Sequence, residues 1–533
     1  MPSETSDTLF ARYGPGYRWL ATATVMLGAI AAMLTTTSVN VAIPDIMGAF
    51  GIGQDRAQWL STGTLAAMTV GMLLNAWMLT SFGQRRTFIG ALGIFAASLV
   101  LAAASPNENV LIFCRIVQGA VAGLLQPFSM YTLFRVFPPE QRGMAMGFFG
   151  MSVILGPALG PVLGGVMIEH FNWRAIFTVG VPVSAVAILM GSLFLPEREE
   201  AEAPVRFDWP GFLLLVAALA CLLTGLSNGQ REGWHSNLIL ALFTVAALSA
   251  AGFVLWELRA PRPLVNLRVL ANPQFTGAAA VAALFGVGLF GSTYLVPLFV
   301  QTVQHLTPYA AGLMLMPAGL IMGVLMPAAG YLSDRFPARN LIIAGLLCFA
   351  VSSWWLAGVD ANMSFWTVAW CVVVSRVGLS LIKPALNVAA LRSLRPELLG
   401  QGAGMINFAR QLGGAFGVNL LSVILDRRTF FHSDTLTSVQ TAANGATADL
   451  LRQVEALLAQ IGASPDLQSA GALHYLGRVV YAQAYTMGFR DSFLIVAIIF
   501  VLGLIPAWMM GRGRLLSPIV AARLDTRRLP APD

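Results

Sequence analysis

The stretch GPALGPVLGG, residues 156–165, places glycine and proline at a spacing that few helices tolerate. At 3.6 residues per turn, the stretch forms two adjacent rows along one helix. The rows are Gly156, Gly160 and Gly164 in one, and Pro157, Pro161 and Gly165 in the other. Glycines at this spacing let a neighbouring helix approach to backbone distance, whereas each proline removes a helix hydrogen bond and favours a kink. Two interpretations follow: a helix specialised for bending, or a helix that is simply packed closely against its neighbour.

The composition places this helix in a membrane. The chain has 533 residues, of which 57% are hydrophobic and 11% are charged, whereas soluble domains carry about 25% charged residues. We therefore expect an all-α polytopic membrane protein. The sequence shows no glycine-rich phosphate loop, no Ser/His/Asp set and no metal-ligand cluster, and its four cysteines lie in apolar runs. These features argue against an enzyme, and we expect no cofactor and no metal.

Hydropathy predicts about fourteen membrane-spanning helices, because each crossing of the hydrocarbon layer needs roughly 20 apolar residues. The predicted spans are 19–43, 57–80, 87–104, 110–134, 143–168, 174–195, 209–227, 236–256, 274–301, 308–332, 340–358, 365–391, 401–425 and 490–511. They divide into a six-helix bundle at 19–195, two additional helices at 209–256 and a second six-helix bundle at 274–511. The second bundle includes a long loop at 426–489, in which residues 449–462 have the apolar spacing of an amphipathic helix.

Arginine distinguishes the two sides of the predicted spans. The short loops of one side carry only Arg56, Arg174 and Arg231, whereas the other side and both termini are rich in arginine. Short cytoplasmic loops carry such an excess of basic residues. We therefore expect the tails at 1–18 and 512–533 to be cytoplasmic and the loop at 426–489 to be periplasmic. The net charge of +7 then reflects membrane topology and predicts no nucleic-acid partner.

Two short segments indicate an internal duplication. The turn AWMLTSFGQRR (76–86) follows the second span, and GYLSDRFPAR (330–339) follows the tenth. The first copy has Ala76 and Thr80 where the second has glycine and aspartate. Because an aspartate here can cap a neighbouring helix and pair with arginine, we expect a cytoplasmic gate. The candidate gate residues are Gly330, Asp334, Arg335, Arg339, Gly83 and Arg85. Duplicated six-span halves are typical of transporters that bind substrate at their interface.

Polar residues form stripes on otherwise apolar spans. Arg376, Ser380, Lys383 and Asn387 are spaced 0, 4, 7 and 11, which places them on one helix face. The other candidate cavity residues are Arg115, Gln118, Gln126, Asn407, Arg410, Thr35 and Asn40. Lys383 is the only lysine of the chain. It lies about 12 Å from the predicted cytoplasmic edge at 1.5 Å per residue, so snorkelling is the alternative explanation for it.

The sign of these charges predicts the substrate class. Arg376 lies too deep to snorkel, and a charge at mid-depth costs at least ~2.5 kcal/mol on the insertion scale. Four basic side chains share the core, and we find no acidic residue well inside any span to pair with them. A cavity of this sign suits amphipathic organic anions and repels lipophilic cations. The four basic residues are Arg115, Arg376, Lys383 and Arg410.

These segments together resemble the major facilitator superfamily. The resemblance rests on RIVQGAVAG (115–123), the Gly–Pro stretch, WRAIFTVGVP (173–182) and GYLSDRFPAR, and it covers about residues 19–512. The chain is most similar to the fourteen-span drug:proton antiporter branch, the EmrB/QacA-like exporters. TTTSVNVAIP (35–44) and NFARQLGGAFG (407–417) extend the similarity. The long loop before the last span resembles EmrB-type pumps in particular.

The resemblance implies a fold of two six-helix bundles plus two extra helices, and a function in multidrug efflux. It implies that the Gly–Pro rows are an antiporter motif and that export is driven by proton antiport. It also implies a bacterial inner-membrane location, contact with membrane lipids, a periplasmic adaptor protein and an outer-membrane channel.

One position departs from the pattern of these exporters. Many of them carry a carboxylate in the first span where this chain has Thr35. The remaining candidates for carrying the coupling proton stand near the outer mouths: Asp45, Glu169 and Asp491. The departure favours an alternative function, an anion exchanger or a lipid or fatty-acid flippase of the same fold without net proton coupling. The Gly–Pro rows and the overall resemblance favour the proton-driven exporter.

Overall fold

The computed structural model describes residues 5–197, 206–261, 263–441 and 444–511, and all regular structure within these ranges is helical. The basic tail expected at 512–533 lies outside the described residues. The α-helices are α1 Ser6–Tyr13, α2 Tyr17–Phe50, α3 Gln54–Ala103, α4 Glu108–Val136, α5 Arg142–His170, α6 Ala175–Phe194, α7 Trp209–Glu232, α8 Asn237–Arg259, α9 Pro273–Thr302, α10 Pro308–Arg335, α11 Ala338–Leu356, α12 Phe365–Arg392, α13 Leu399–Ser438, α14 Gly445–Gln460, α15 Pro465–Leu502 and α16 Leu504–Met509.

Thirteen helices of the described chain are long and apolar enough to cross a membrane. One of them, α3, has 50 residues, which corresponds to about 75 Å and is far more than one crossing needs. It is interrupted at Gly83, whose φ of 75° and ψ of 177° are not helical. Because only glycine adopts this φ readily, Gly83 lets the chain turn back into the membrane. The two parts of α3 bring the number of crossings to fourteen and confirm the predicted all-α class.

The helices pack in two groups with an additional pair. In the first group α2 packs on α4, α5 and α6, and α3 packs on α4 and α6. In the second group α9 packs on α13, α12 on α11 and α10, and α15 on α11 and α13. The additional helices α7 and α8 pack mainly on each other, and α7 also contacts α3.

The two groups meet mainly through α5 with α10, and α3 with α13. The contacts lie toward one end of the molecule, where a Cβ on Gly147 would meet Pro327 and a Cβ on Gly404 would meet Met72. We call this the arginine-rich end, defined by Arg85, Arg142, Arg335 and Arg392.

Helical structure extends well beyond the predicted spans at the opposite end. The connection predicted as a loop at 426–489 is largely helical, because α13 continues to Ser438 and α15 begins at Pro465. Hydropathy identifies only the part of a helix that lies in lipid, which is why the sequence missed these extensions. The amphipathic segment predicted at 449–462 overlaps α14 (Gly445–Gln460), which packs on α15.

Candidate functional site

The glycine row of α5 packs directly against α2. A Cβ on Gly160 would lie 2.9 Å from the carbonyl oxygen of Leu34, and one on Gly164 would lie 2.8 Å from that of Ser38. The Ser38 hydroxyl donates a hydrogen bond of 2.7 Å to the carbonyl oxygen of Gly160. Pro157 and Pro161 are exposed on the surface away from α2. The two rows therefore have different environments, one in a close helix contact and one on the outside of the bundle.

Arg115 lies inside the first bundle and is almost completely buried. Its guanidinium donates to the carbonyl oxygens of Thr36 at 3.0 Å and Leu60 at 3.3 Å, and to Oε1 of Gln118 at 3.2 Å. Gln118 in turn donates to the carbonyl oxygen of Ser98 at 3.4 Å. These bonds tie α4 to α2 and α3, so Arg115 compensates its burial by hydrogen bonds within one bundle.

Arg376 has the corresponding role in the second bundle but uses different acceptors. Its guanidinium donates to the hydroxyls of Ser292 at 2.8 Å and Thr293 at 3.1 Å on α9. The Ser380 hydroxyl donates to the carbonyl oxygen of Arg376 at 2.8 Å, within α12. Arg376 is only 5% exposed. Neutral hydroxyls solvate the guanidinium without cancelling its charge.

Lys383 and Arg410 form a positive cluster where the two bundles meet. The Arg410 guanidinium donates to Oε1 of Gln126 on α4 at 2.6 Å. Nζ of Lys383 lies 5.2 Å from the ring centroid of Phe149 on α5, within the range of a cation–π contact. Both side chains therefore reach from the second bundle to the first, Lys383 to α5 and Arg410 to α4. Lys383 is 4% exposed and Arg410 is 6% exposed.

The cluster also contains polar atoms that lack a hydrogen-bond partner within the described chain. They are Nε of Arg410, Nδ2 of Asn387 and Oε1 of Gln411. Asn407 contributes its amide nitrogen to the carbonyl oxygen of Ala403 at 2.9 Å. Buried donors without partners are costly, at roughly 1–3 kcal/mol each. The two positive charges, with the unpaired N–H donors of Arg410 and Asn387, are therefore suited to an anionic ligand.

Thr35 and Asn40 lie away from this cluster. Thr35 is buried, and a Cβ on Gly180 of α6 would lie 2.8 Å from its hydroxyl. Thr35 therefore faces the interior of the first bundle, where its hydroxyl donates to the carbonyl oxygen of Ala31 at 3.0 Å. Asn40 is exposed farther along α2 and accepts from the hydroxyl of Ser61 at 3.1 Å. The structure does not bring these two residues together with Lys383 and Arg410.

The three mouth carboxylates also differ from one another. Asp45 and Glu169 are exposed near the ends of α2 and α5. Asp491 is partly buried and joins α15 to α13 through two contacts of its Oδ2. These contacts are 2.5 Å to Nε of Arg428 and 2.7 Å to Nε2 of His432. Asp491 thus links α15 to α13 within the second bundle. Its partner Arg428 lies 18 residues beyond Arg410 along α13, so this contact is remote from the central cluster.

The candidate gate joins the bundles at the arginine-rich end. Oδ1 of Asp334 accepts from the amide N–H of Gly143 at 2.6 Å, and Oδ2 accepts from that of Met144 at 2.9 Å. These N–H groups belong to the first turn of α5, where free donors and the helix dipole favour a negative charge. A Cβ on Gly330 would meet the backbone of Gly143, so glycine is needed for this close contact. Arg392 donates to the carbonyl oxygen of Pro139 beside it.

The other gate candidates make contacts within their own bundle. Arg85 pairs with Glu197 at 2.7 Å in the first bundle. The guanidinium of Arg335 lies 4.3 Å from the ring centroid of Tyr331, and that of Arg339 lies 3.5 Å from the ring centroid of Trp508. Among the predicted gate residues, Asp334 and Gly330 therefore supply the contacts between the two bundles.

Sequence reasoning missed two parts of these sites. The first is the hydroxyl pair on α9 that holds Arg376, because Ser292 and Thr293 lie more than eighty positions away along the chain. The second is Glu257, which stands near the end of α8 and is nevertheless buried. A residue at a helix end looks exposed in the sequence. A carboxylate placed two residues before a run that contains arginine and proline carries no signal of burial.

Comparisons with known proteins agree with this fold. The family model described as Major Facilitator Superfamily matches residues 25–418. The multidrug export protein EmrB of Escherichia coli (strain K12) is 30% identical over 440 residues, which are 82% of this chain and 86% of that protein. The fatty acid resistance protein FarB of Neisseria gonorrhoeae is 28% identical over 493 residues, 92% of this chain and 96% of that protein.

A solved structure shows the same fold at low sequence identity. The human organic anion transporter MFSD10 (TETRAN) superposes with a TM-score of 0.60 at 16% identity, covering 93% of this chain and 99% of that one. The matched family model covers most of the chain, and the helices form the two packed groups described above. This multi-pass membrane protein therefore belongs to the major facilitator superfamily and is a transporter of that family.

Proposed function

We propose that the protein is a multidrug exporter of amphipathic, anionic or weakly acidic compounds, driven by inward proton flow. The observation that carries the proposal is the positive cluster of Lys383 and Arg410 at the contact between the bundles. Within the described residues neither cation forms an ion pair. The names of the relatives EmrB and FarB, a multidrug export protein and a fatty acid resistance protein, support export of such molecules.

The proposed binding mode follows from the charges and the unpaired donors. A carboxylate entering between the bundles would replace the missing counter-ion of Lys383 and accept from Nε of Arg410. Charge-assisted hydrogen bonds of this kind contribute about 1.5–3 kcal/mol. A cation would meet the repulsion of both groups, and such repulsion is an effective source of specificity. Arg115 and Arg376 would act differently, by holding helices in place within each bundle.

The experiment measures transport into inverted membrane vesicles, using an acid and a cation that share the same apolar body. We expect wild type to transport the acid, and Lys383→Gln and Arg410→Gln to lower that transport at least tenfold, since 1.4 kcal/mol corresponds to about tenfold. Arg452→Gln, which removes an exposed arginine of α14, is the matched control. Rates are normalised to the amount of protein in the membrane. A wild type that moves the cation and ignores the acid contradicts the anionic substrate class.

Proton coupling is tested in the same vesicles by imposing and collapsing a pH gradient. We expect acid transport to fall when the gradient is collapsed. The second candidate function is an anion exchanger or a lipid or fatty-acid flippase without net proton coupling. It is favoured by the absence of a carboxylate at Thr35 in the first span. Transport that depends on an anion on the opposite side, and not on the gradient, identifies the exchanger.

The proposed setting is the bacterial inner membrane, with the arginine-rich end in the cytoplasm. The bundles are in contact at that end, so the central cluster would communicate with the periplasmic side. A periplasmic adaptor and an outer-membrane channel would complete a tripartite pump, with α14 as the docking element. Deleting residues 449–462 should leave membrane insertion intact and weaken resistance in cells with two membranes. Full resistance without this segment contradicts docking through α14.

A further inference from the structure

The additional helix pair carries a carboxyl pair that the transport proposal does not use. Asp208 precedes α7 and Glu257 lies near the end of α8, so both stand at the arginine-rich end. Oδ1 of Asp208 accepts from the amide N–H of Gly211 at 3.0 Å and from the indole N–H of Trp256 at 2.8 Å. Oε2 of Glu257 accepts from the amide N–H of Val265 at 3.3 Å. Each carboxyl is therefore anchored through one oxygen.

The second oxygens of the two carboxyls both lie next to Gly211. Oδ2 of Asp208 and Oε1 of Glu257 are both buried and have no hydrogen-bond partner in the described part of the chain. A Cβ on Gly211 would lie 2.5 Å from the first and 2.8 Å from the second, so the two oxygens border the same point. Glu257 is only 4% exposed. Two ionised carboxylates in this arrangement would repel each other and leave two buried acceptors without a donor.

We propose that Asp208 and Glu257 form a proton-binding site in which one proton is shared between Oδ2 of Asp208 and Oε1 of Glu257. The shared proton gives both oxygens a hydrogen bond and reduces the charge of the pair from two to one. Carboxyls that share a site commonly hold one proton between them in this way. Gly211 keeps the space between the oxygens open.

The site has a route to solvent on the Asp208 side. Asp208 lines a cavity of about 920 Å³ at the arginine-rich end, together with residues of α1, α3, α4 and α13. The charged residues that line this cavity besides Asp208 are Asp7, Arg135, Glu197, Arg206 and Glu397. Arg85 of α3 pairs with Glu197, and Arg259 and Arg268 beside the pair are exposed. Among the described residues, no cation donates a hydrogen bond to Oδ2 of Asp208 or to Oε1 of Glu257.

Occupation of the site affects the connection to the second bundle. Glu257 holds the amide of Val265, and residues 263–272 lead directly into α9. Loss of the proton would place two negative charges beside this segment.

Infrared spectroscopy of the full-length protein in lipid bilayers tests the shared proton directly. In a pH titration of wild type we expect the C=O stretching band of a buried protonated carboxyl to disappear as the pH rises. Glu257→Gln should lack this band. Asp208→Asn should retain it but lose it at a lower pH, since the like charge is gone and the amide can donate to Glu257. The matched control is Glu232→Gln, an exposed carboxyl at the other end of α7, which should leave the band unchanged.

Gly211→Ala provides a variant that keeps both carboxyls and fills the space between them. It should alter the C=O stretching band. If Glu257→Gln does not elute as a single species in size-exclusion chromatography, Gly211→Ala takes its place as the test of the shared proton. An identical band in wild type, Glu257→Gln and Gly211→Ala overturns the proposal. Saturable loss of the band on adding Na⁺, K⁺, Mg²⁺ or Ca²⁺ at constant pH also overturns it, because the site then binds a metal cation.

Discussion

The two copies of the duplicated turn hold the bundles together by different forces. In the second copy Asp334 of α10 places a carboxylate on the first amides of α5, across the boundary between the bundles. In the first copy Thr80 stands at the same position, and its hydroxyl donates to the carbonyl oxygen of Ala76 in its own helix at 3.0 Å. Corresponding sequence positions thus carry an electrostatic link between the bundles in one copy and a hydrogen bond within one helix in the other.

The contact of α3 with α13 relies on a neutral hydrogen bond and on packing. The side-chain amide of Asn75 donates to the carbonyl oxygen of Gly400 at 3.2 Å. The N-terminus of α13 has no side-chain cap, whereas amide N–H groups at the N-terminus of α5 donate hydrogen bonds to Asp334. A duplicated fold therefore need not open symmetrically. Separation of α5 from α10 has to break charge-assisted bonds, and separation of α3 from α13 does not.

The largest effect is expected for Asp334→Asn, which removes the charge and one acceptor at the α5 N-terminus. Hydrogen bonds to charged groups contribute about 1.5–3 kcal/mol, so the closed arginine-rich end should lose at least tenfold in relative population. Labelling of a cysteine introduced at the buried Ser333 by a maleimide in inverted vesicles measures this opening. Transport should fall as well, because both conformations must be reachable.

The control for this prediction is Asp466→Asn, which changes an exposed aspartate in the first turn of α15. It should alter neither labelling nor transport. An unchanged labelling rate in Asp334→Asn would mean that packing alone closes the end, and the contrast between the two copies would disappear.

A smaller effect is expected for Asn75→Ala. The variant loses one neutral hydrogen bond, which contributes about 0.5–1.5 kcal/mol. Labelling at Ser333 should therefore rise less than in Asp334→Asn, and the double variant should be close to additive, because the two sites lie in separate helix contacts. A loss as large as that of Asp334→Asn would show that the neutral contact is the dominant one.

The smallest effect is expected for Thr80→Asp, which gives the first copy the carboxylate of the second. A carboxylate near the start of α13 should stabilise the closed end by about 0.3–1 kcal/mol through the helix dipole. The measurement is slower labelling at Ser333, together with partial rescue of Asp334→Asn in the double variant. Faster labelling in Thr80→Asp would indicate that the side chain does not reach the α13 terminus.

Much of the fold could be predicted from the sequence because lipid imposes strict rules on it. Fourteen apolar segments, the turn at 76–86 that contains Gly83 and the glycine row of α5 all follow from helix length and backbone contact. These are properties of single helices, and the spacing of apolar and small residues within one helix can be read directly from the sequence. The extensions of α13 and α15 did not follow, because helices outside lipid need no apolar composition.

The candidate sites were harder to predict because they depend on which face of a helix meets which neighbour. Spacing placed Lys383 and Arg376 on one stripe, yet Arg376 binds α9 and Lys383 faces α5. Thr35 stands next to a polar run and still faces α6. The rotation of each helix about its own axis is set by packing with distant segments, and one sequence contains no direct record of it.

The length of α13 has a mechanical consequence. Its 40 residues form a rod of about 60 Å, roughly twice the hydrocarbon thickness of a membrane. Asp491 of α15 forms an ion pair with Arg428 of α13 and also contacts the imidazole of His432, so this rod is held against α15. At the far end α14 packs on α15. Any rocking of the second bundle is therefore magnified at α14, as at the tip of a lever. A protein bound to α14 would therefore be displaced each time the second bundle moves in the transport cycle.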